Sequence, residues 1–151
     1  MNMLARLREL VTVDGGAPQA DVAEQERLAT ALLLAELARA DSHVDEAEET
    51  TITGLLAEHF ELDAAQTQEL LTQAQYHVDG AVSLYDYVQT LNDRLDYPGR
   101  CKMVEMLWHV AYADGHLDKY EEHELRKIAG LLYVEDADFI HAKLKVIGAA
   151  S

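Results

Sequence analysis

HVAYADGHLDKYEEHELRKIAGLLYVED, residues 109–136, carries helical spacing on both sides of a short acidic loop. Ahead of the loop Val104, Leu107, Trp108 and Ala111 recur three or four residues apart, and behind it Leu125, Ile128, Leu131 and Leu132 do the same. Such recurrence turns one stripe of a helix toward a core. Between the two runs, Gly115 suits the left-handed turn that ends a helix, and Asp118 stands where the next helix needs its N-cap. Glu121 lies three residues after Asp118, the spacing at which a glutamate reaches back to the cap's own N–H. The segment is a helix–loop–helix.

The same spacing extends in both directions. DVAEQERLATALLLAELARAD (21–41) places Leu28, Leu32, Ala35 and Leu37 near one face, with Asp21 as its cap. Ile52, Leu55, Leu56 and Phe60 line the next helix. Asp63, with Gln66 in the capping-box position, opens AAQTQELLTQAQYHV, and Asp79-Gly80 ends it. Ser83 with Asp86 starts a helix through Val88, Leu91 and Leu95, which Tyr97-Pro98-Gly99 closes, because the residue before proline disfavours the helical conformation. Asp136 caps a last helix with Phe139, Ile140, Leu144 and Ile147 inside. MNMLARLREL is basic and amphipathic, and without an apolar run or a small-residue cleavage site it reads as a helix rather than a signal peptide. The expected organisation is an N-terminal helix and linker over residues 1–20, then a single helical domain over 21–151. No alternating run competes for a strand, and glycine (8) and proline (2) are scarce. The fold class is therefore all-α, a compact bundle of seven or eight helices, and 151 residues suit one core.

Charge narrows the function. The chain carries 28 acids against 12 Lys and Arg, a net −16. Residues 40–93 hold 12 acids and no base, whereas 1–39 and 94–151 each sum to −2. A surface of that sign repels phosphate backbones and anionic headgroups, so the expectation is no nucleic acid and no direct membrane insertion. The longest purely apolar run, Ala31 to Ala35, is far short of the ~20 residues that cross a bilayer, and the expected location is the cytoplasm. The single cysteine, Cys101, excludes an internal disulfide and a cysteine-cluster metal site. There is no glycine-rich phosphate loop, no G-x-S-x-G elbow and no H-E-x-x-H, so the reading is non-enzymatic.

A shift of 73 residues lays ELARADSHVDEAEETTITGLLAEHFELD (36–63) on the segment quoted first. Eight pairs are identical: Ala38/Ala111, Ala40/Ala113, Asp41/Asp114, His43/His116, Asp45/Asp118, Glu48/Glu121, Glu49/Glu122 and Asp63/Asp136. They concentrate in A-x-A-D-x-H-φ-D-x-x-E-E, with φ apolar, so the chain reads as an internal repeat of two pseudo-symmetric helix–loop–helix halves.

Capping accounts for Asp45, Glu48, Asp118 and Glu121 without any function. It leaves Asp41 and Asp114 at helix C-termini, where a negative charge is unfavourable by ~0.3–1 kcal/mol. It also leaves Glu49 and Glu122 four residues after the cap aspartates, where like charges repel by ~0.2–0.5 kcal/mol. A divalent cation reverses the sign of both costs. The candidate ligands are Asp114, Asp118 and Glu122 at the second joint and Asp41, Asp45 and Glu49 at the first. Oxygen donors suit calcium or magnesium, and His116 and His43, as additional ligands, would favour manganese or zinc. The spacing D-x3-D-x3-E is not that of an EF-hand.

The repeated A-D-x-H-φ-D-x-x-E-E joint in a small acidic helical chain resembles the tellurite-resistance TerB-like family, over about residues 25–147. The best match is YADGHLDKYEEHELRKIAGLL (112–132), and the first copy departs from it with Ser42 in place of glycine. The resemblance implies an all-helical fold, a tellurite or stress-response context and metal binding at the acidic joints, which again marks Asp114, Asp118 and Glu122 first. The expected function is binding of divalent metal ions at the duplicated joints. The alternative is a protein-interaction module whose acidic surface docks a basic partner, without metal.

Overall fold

A computed structural model of the chain describes residues 18–39, 46–79 and 84–148. The expected N-terminal helix before Pro18, the loop carrying Asp41, His43 and Asp45, and the Ser83 cap lie outside the described residues. Those that are described form seven α-helices and no strand. They are α1 (Pro18–Ala38), α2 (Glu46–His59), α3 (Ala64–Asp79), α4 (Leu84–Arg94), α5 (Tyr97–Ala111), α6 (Lys119–Leu131) and α7 (Asp136–Lys143), the last continuing into a π-helical turn, Leu144–Gly148. The all-α bundle expected from the spacing is the observed fold.

Helix α1 is the centre. Ala31, Leu32, Leu33, Leu34, Leu37 and Ala38 have no solvent exposure, a run that covers every side of the helix rather than one face. It packs against α2, α3, α4, α5 and α6. Helix α5 plays the same part for α6, α7 and the π turn, burying Met103, Val104, Met106, Leu107, Trp108, Val110 and Ala111. The Trp108 and Phe139 rings sit 5.0 Å apart, and the indole N–H of Trp108 donates to the Phe139 carbonyl at 3.2 Å.

Three boundaries differ from expectation, each for a local reason. Helix α1 begins at Pro18, three residues before Asp21, at a position where a missing N–H costs no helix bond. Tyr97-Pro98-Gly99 does not close α4 but opens α5: Asp96 is the N-cap, its Oδ1 accepting from the Gly99 N–H at 2.9 Å, and Pro98 falls in the first turn. At the last helix Glu135, not Asp136, occupies the cap position, and Asp136 is the first helical residue. That helix also turns differently from its expected face. Phe139, Ala142 and Val146 are buried, while Ile140 and Leu144 are 40% and 62% exposed.

Helix boundaries and buried positions recur at a near-constant spacing along the chain. Helices α1 and α5 end, and α2 and α6 begin, 73 residues apart. Helix α2 has 14 residues and α6 has 13, so α3 and α7 begin 72 apart. Buried positions follow that slip: Glu48/Glu121, Ile52/Leu125 and Leu56/Ala129 at the first offset, Thr67/Phe139, Leu70/Ala142 and Ala74/Val146 at the second. Two residues past the ends of both α2 and α6 stands a non-glycine residue at positive φ, Glu61 (53°) and Tyr133 (58°). After each, an N–H closes back on the helix, Leu62 to the Ala57 carbonyl at 2.9 Å and Val134 to the Ala129 carbonyl at 3.0 Å.

Candidate functional site

The α5–α6 joint is built by successive local bonds. Tyr112 N–H closes on the Trp108 carbonyl at 3.0 Å, and Gly115 N–H on the Tyr112 carbonyl at 3.0 Å. Gly115 sits at φ +86°, with nothing within 4 Å of where a Cβ would stand, so backbone handedness rather than space calls for glycine. The Asp114 Oδ1 accepts from the His116 N–H at 2.9 Å, an Asx-turn that orders the loop. Asp118, in extended conformation, is the N-cap of α6, its Oδ1 accepting from Tyr120 N–H at 2.7 Å and Glu121 N–H at 3.3 Å. Glu121 is buried beneath the cap, as is Glu48 at the matching place in α2.

Each candidate ligand thereby has a place. Asp114 and His116 are exposed in the loop, Asp118 is half-buried at the cap, and Glu122 is half-buried one turn into α6. The Glu122 Oε1 lies 3.4 Å from Lys143 Nζ of α7, a partner that the sequence spacing gave no means to find. Glu49 is exposed on α2, its backbone carbonyl accepting from Thr53 Oγ1 at 2.8 Å. Asp41, His43 and Asp45 lie outside the described residues. Among the described residues, no three His, Cys, Asp or Glu side chains gather as a group able to hold a metal ion. As they stand, the second joint's carboxylates point to a turn, a cap and an ammonium.

A second feature had no signature in spacing, because its histidines are fifty positions apart. A groove of about 360 Å³ between α2 and α5 is lined by Leu55, Glu58, His59, Lys102, Met106 and His109. His59 and His109 are both exposed at the rim of this groove; partial desolvation pushes the His59 imidazole below its ordinary value and the Lys102 ammonium adds to this, while Glu26 opposes. Partial desolvation likewise lowers His109, against Glu105 and with Lys102.

A third cluster joins the α4–α5 corner to the α6–α7 corner. The Tyr97 hydroxyl donates to Asp138 Oδ2 at 2.5 Å and accepts from Glu135 N–H at 3.1 Å. Arg100 donates to the Leu132 carbonyl at 2.9 Å and the Leu95 carbonyl at 2.8 Å. Burial first pushes the neighbouring Cys101 thiol up, which suits a packed residue rather than a reactive thiolate.

The model of the family described as "Tellurite resistance protein TerB" matches residues 27–144, from within α1 to the end of α7. Searches of curated proteins and of solved structures gave no match. Among the described residues, no helix is long and apolar enough to cross a membrane.

Proposed function

The chain belongs to the tellurite-resistance TerB family, and on that footing we propose that this tellurite-resistance-related domain acts in the cytoplasm by binding rather than by catalysis, offering an acidic face to a Lys/Arg-rich segment of a partner protein. The observation that supports this is the state of the acidic block. Glu46, Glu49, Glu58, Glu61, Asp63, Glu69, Asp86 and Asp93 are all exposed, within 54 residues (40–93) that contain no Lys or Arg. The Lys–Glu ion pairs between described residues, Lys102–Glu105, Lys145–Glu105 and Lys143–Glu122, all lie outside that block. Uncompensated carboxylates steer a cationic partner and speed its association. Anisotropy of a labelled Lys/Arg-rich peptide, from about 50 to 300 mM salt, tests this. Binding that weakens steeply with salt, and weakens further in the Glu46→Gln/Glu61→Gln/Glu69→Gln variant, supports the reading. Binding equal to that of a scrambled acidic peptide sinks it.

A divalent cation at the joints is the second reading, favoured by the placement of Asp114 and Asp118 in one tight loop turned by Gly115. It requires Glu122 to leave Lys143. Calcium, magnesium, manganese and zinc are the ions to try, and a rise in melting temperature with any of them supports it.

A further inference from the structure

The exposed residues of α6 are Lys119, Tyr120, His123, Arg126, Lys127 and Gly130. Steps of three and four residues, from Lys119 through His123 and the Arg126-Lys127 pair to Gly130, set them along one outer face. The acids of the same helix are drawn in: Glu121 is buried, and Glu122 and Glu124 are half-buried, with Glu122 held by Lys143. Among the described residues, the Lys–Glu ion pairs use Lys102, Lys143 and Lys145, not Lys119 or Lys127. The Arg126 guanidinium rests 4.8 Å from the Phe139 ring, a contact that orders it without neutralising it. A chain of net −16 thus carries a basic face about 17 Å long, at 1.5 Å per helical residue. Helix α6 packs on α5 and α1, whereas the exposed carboxylates of the acidic block stand on α2, α3, α4 and the turn between α2 and α3. Both faces are open to solvent, so neither neutralises the other within one molecule.

We propose that α6 is itself the basic partner of the acidic block, so that copies of this chain associate head to tail, the α6 face of one against the α2–α3 face of the next. This holds only if the acidic block is a docking surface, and it names the occupant. Length and sign match: α3 has 16 residues, about 24 Å of helix, and its exposed Glu69 is preceded by exposed Glu61 and Asp63. The two faces of such a contact differ, so each copy keeps one free, and the association extends as a chain or closes as a ring. The charge of the whole chain opposes it only at long range. At about 0.01 M salt the Debye length is about 30 Å and two chains of −16 repel as bodies; at about 0.1 M it is about 10 Å, and the facing surfaces decide. At about 1 M it is about 3 Å, and the facing charges are themselves screened. Self-association should therefore pass through a maximum near 0.1 M salt, whereas apolar contact would strengthen steadily with a salting-out ion.

Sedimentation equilibrium from micromolar to millimolar chain, at about 0.01, 0.1 and 1 M salt, tests this with two charge-reversed variants. Lys119→Glu/Lys127→Glu spoils the α6 face and Glu61→Lys/Glu69→Lys the acidic one, all at exposed positions that a folded chain tolerates. Wild type should exceed the mass of one chain, most of all at the middle salt. Each variant alone should stay single, and the two mixed in equal amounts should associate again, because opposite charges then face each other. Wild type that stays single at all three salts, a variant that associates as wild type does, or a mixture that stays single overturns the proposal. Should a reversed variant fail to fold, Lys119→Gln/Lys127→Gln decides: reduced association supports the proposal and undiminished association overturns it. A Glu-rich peptide that binds wild type through Lys119 and Lys127 while the chain stays single gives the α6 face to a different acidic protein and sinks the second copy. The labelled Lys/Arg-rich peptide separates the failures. Bound by a chain that stays single, it leaves the acidic block standing and removes only this occupant; unbound, it removes both.

Discussion

Gly115 and Asp118 set the second joint by opposite means, one by backbone handedness and one by a side-chain oxygen. Gly115→Ala forces a Cβ into the left-handed region and should cost about 1–2 kcal/mol, read as a lower urea midpoint with an unchanged slope. Asp118→Ala removes the acceptor of two first-turn N–H groups and should cost about 1 kcal/mol, whereas Asp118→Asn should stay close to wild type because asparagine caps equally well. The same Asn variant separates the readings of the joint: a cation-dependent rise in melting temperature present in wild type and lost in Asp118→Asn makes Asp118 a ligand as well as a cap. The cap was legible in the sequence because a capping signal is local, a carboxylate two or three positions before the N–H it meets. The Glu122–Lys143 pair was not, since its partners are 21 residues apart and meet only once α7 folds back on α5. The groove histidines escaped for the same reason. Tyr97 gives a separate handle. Its hydrogen bond to Asp138 pushes the phenol up to about 12, so the fold favours the protonated hydroxyl. Stability from this group is intact below the unfolded value near 10 and drains as pH rises toward 12; an alkaline titration should show a late phenol ionisation near 12 that is absent from Tyr97→Phe, and that variant should lose its share of the high-pH destabilisation.

Helix α7 and its π turn show how a periodic pattern can name an element and still misplace its face. Phe139, Ile140, Leu144 and Ile147 fit a helical stripe, yet the fold buries Phe139, Ala142 and Val146 and leaves Leu144 out. Two things decide it. The Phe139 ring is fixed against Trp108 with the Arg126 guanidinium 4.8 Å above it, and the helix widens to π geometry at Leu144, which shifts the following positions around the axis. Phe139→Ala should therefore cost about 3–5 kcal/mol, while Leu144→Ser should fall within about 0.5 kcal/mol of wild type, both read from denaturant melts. Equal losses would mean that the stripe, not the observed face, carries the packing. Tyr97-Pro98-Gly99 carries a related lesson. Proline forbids a helix interior but suits a first turn, so the tripeptide marks a boundary without saying on which side the helix lies. Asp96 settles the side, through its bond to the Gly99 N–H.

Across the whole molecule the sequence conveyed the fold class because helical spacing and caps are repeated at nearly every element, and errors of a few residues at single boundaries leave the bundle intact. Its net −16 has a bulk consequence. Like charges on a compact body repel more than on an expanded chain, and a Debye length of about 10 Å at 0.1 M salt shortens to about 3 Å at 1 M. Raising salt over that range should raise the melting temperature, and a gel shift with duplex DNA should show no retained complex at physiological salt.

Helix α1 touches five other helices and shows no solvent on any side along Ala31–Leu34 and Leu37–Ala38. Loss of any single neighbour would bare one side and leave the others covered. Amide protons in a segment so enclosed should exchange with deuterated solvent only when the entire domain opens, while those of the peripheral α7 should exchange through smaller excursions. The slowest amides of α1 are thus a built-in gauge of global stability: their exchange rates convert directly to the free energy of complete unfolding, under native conditions and without denaturant.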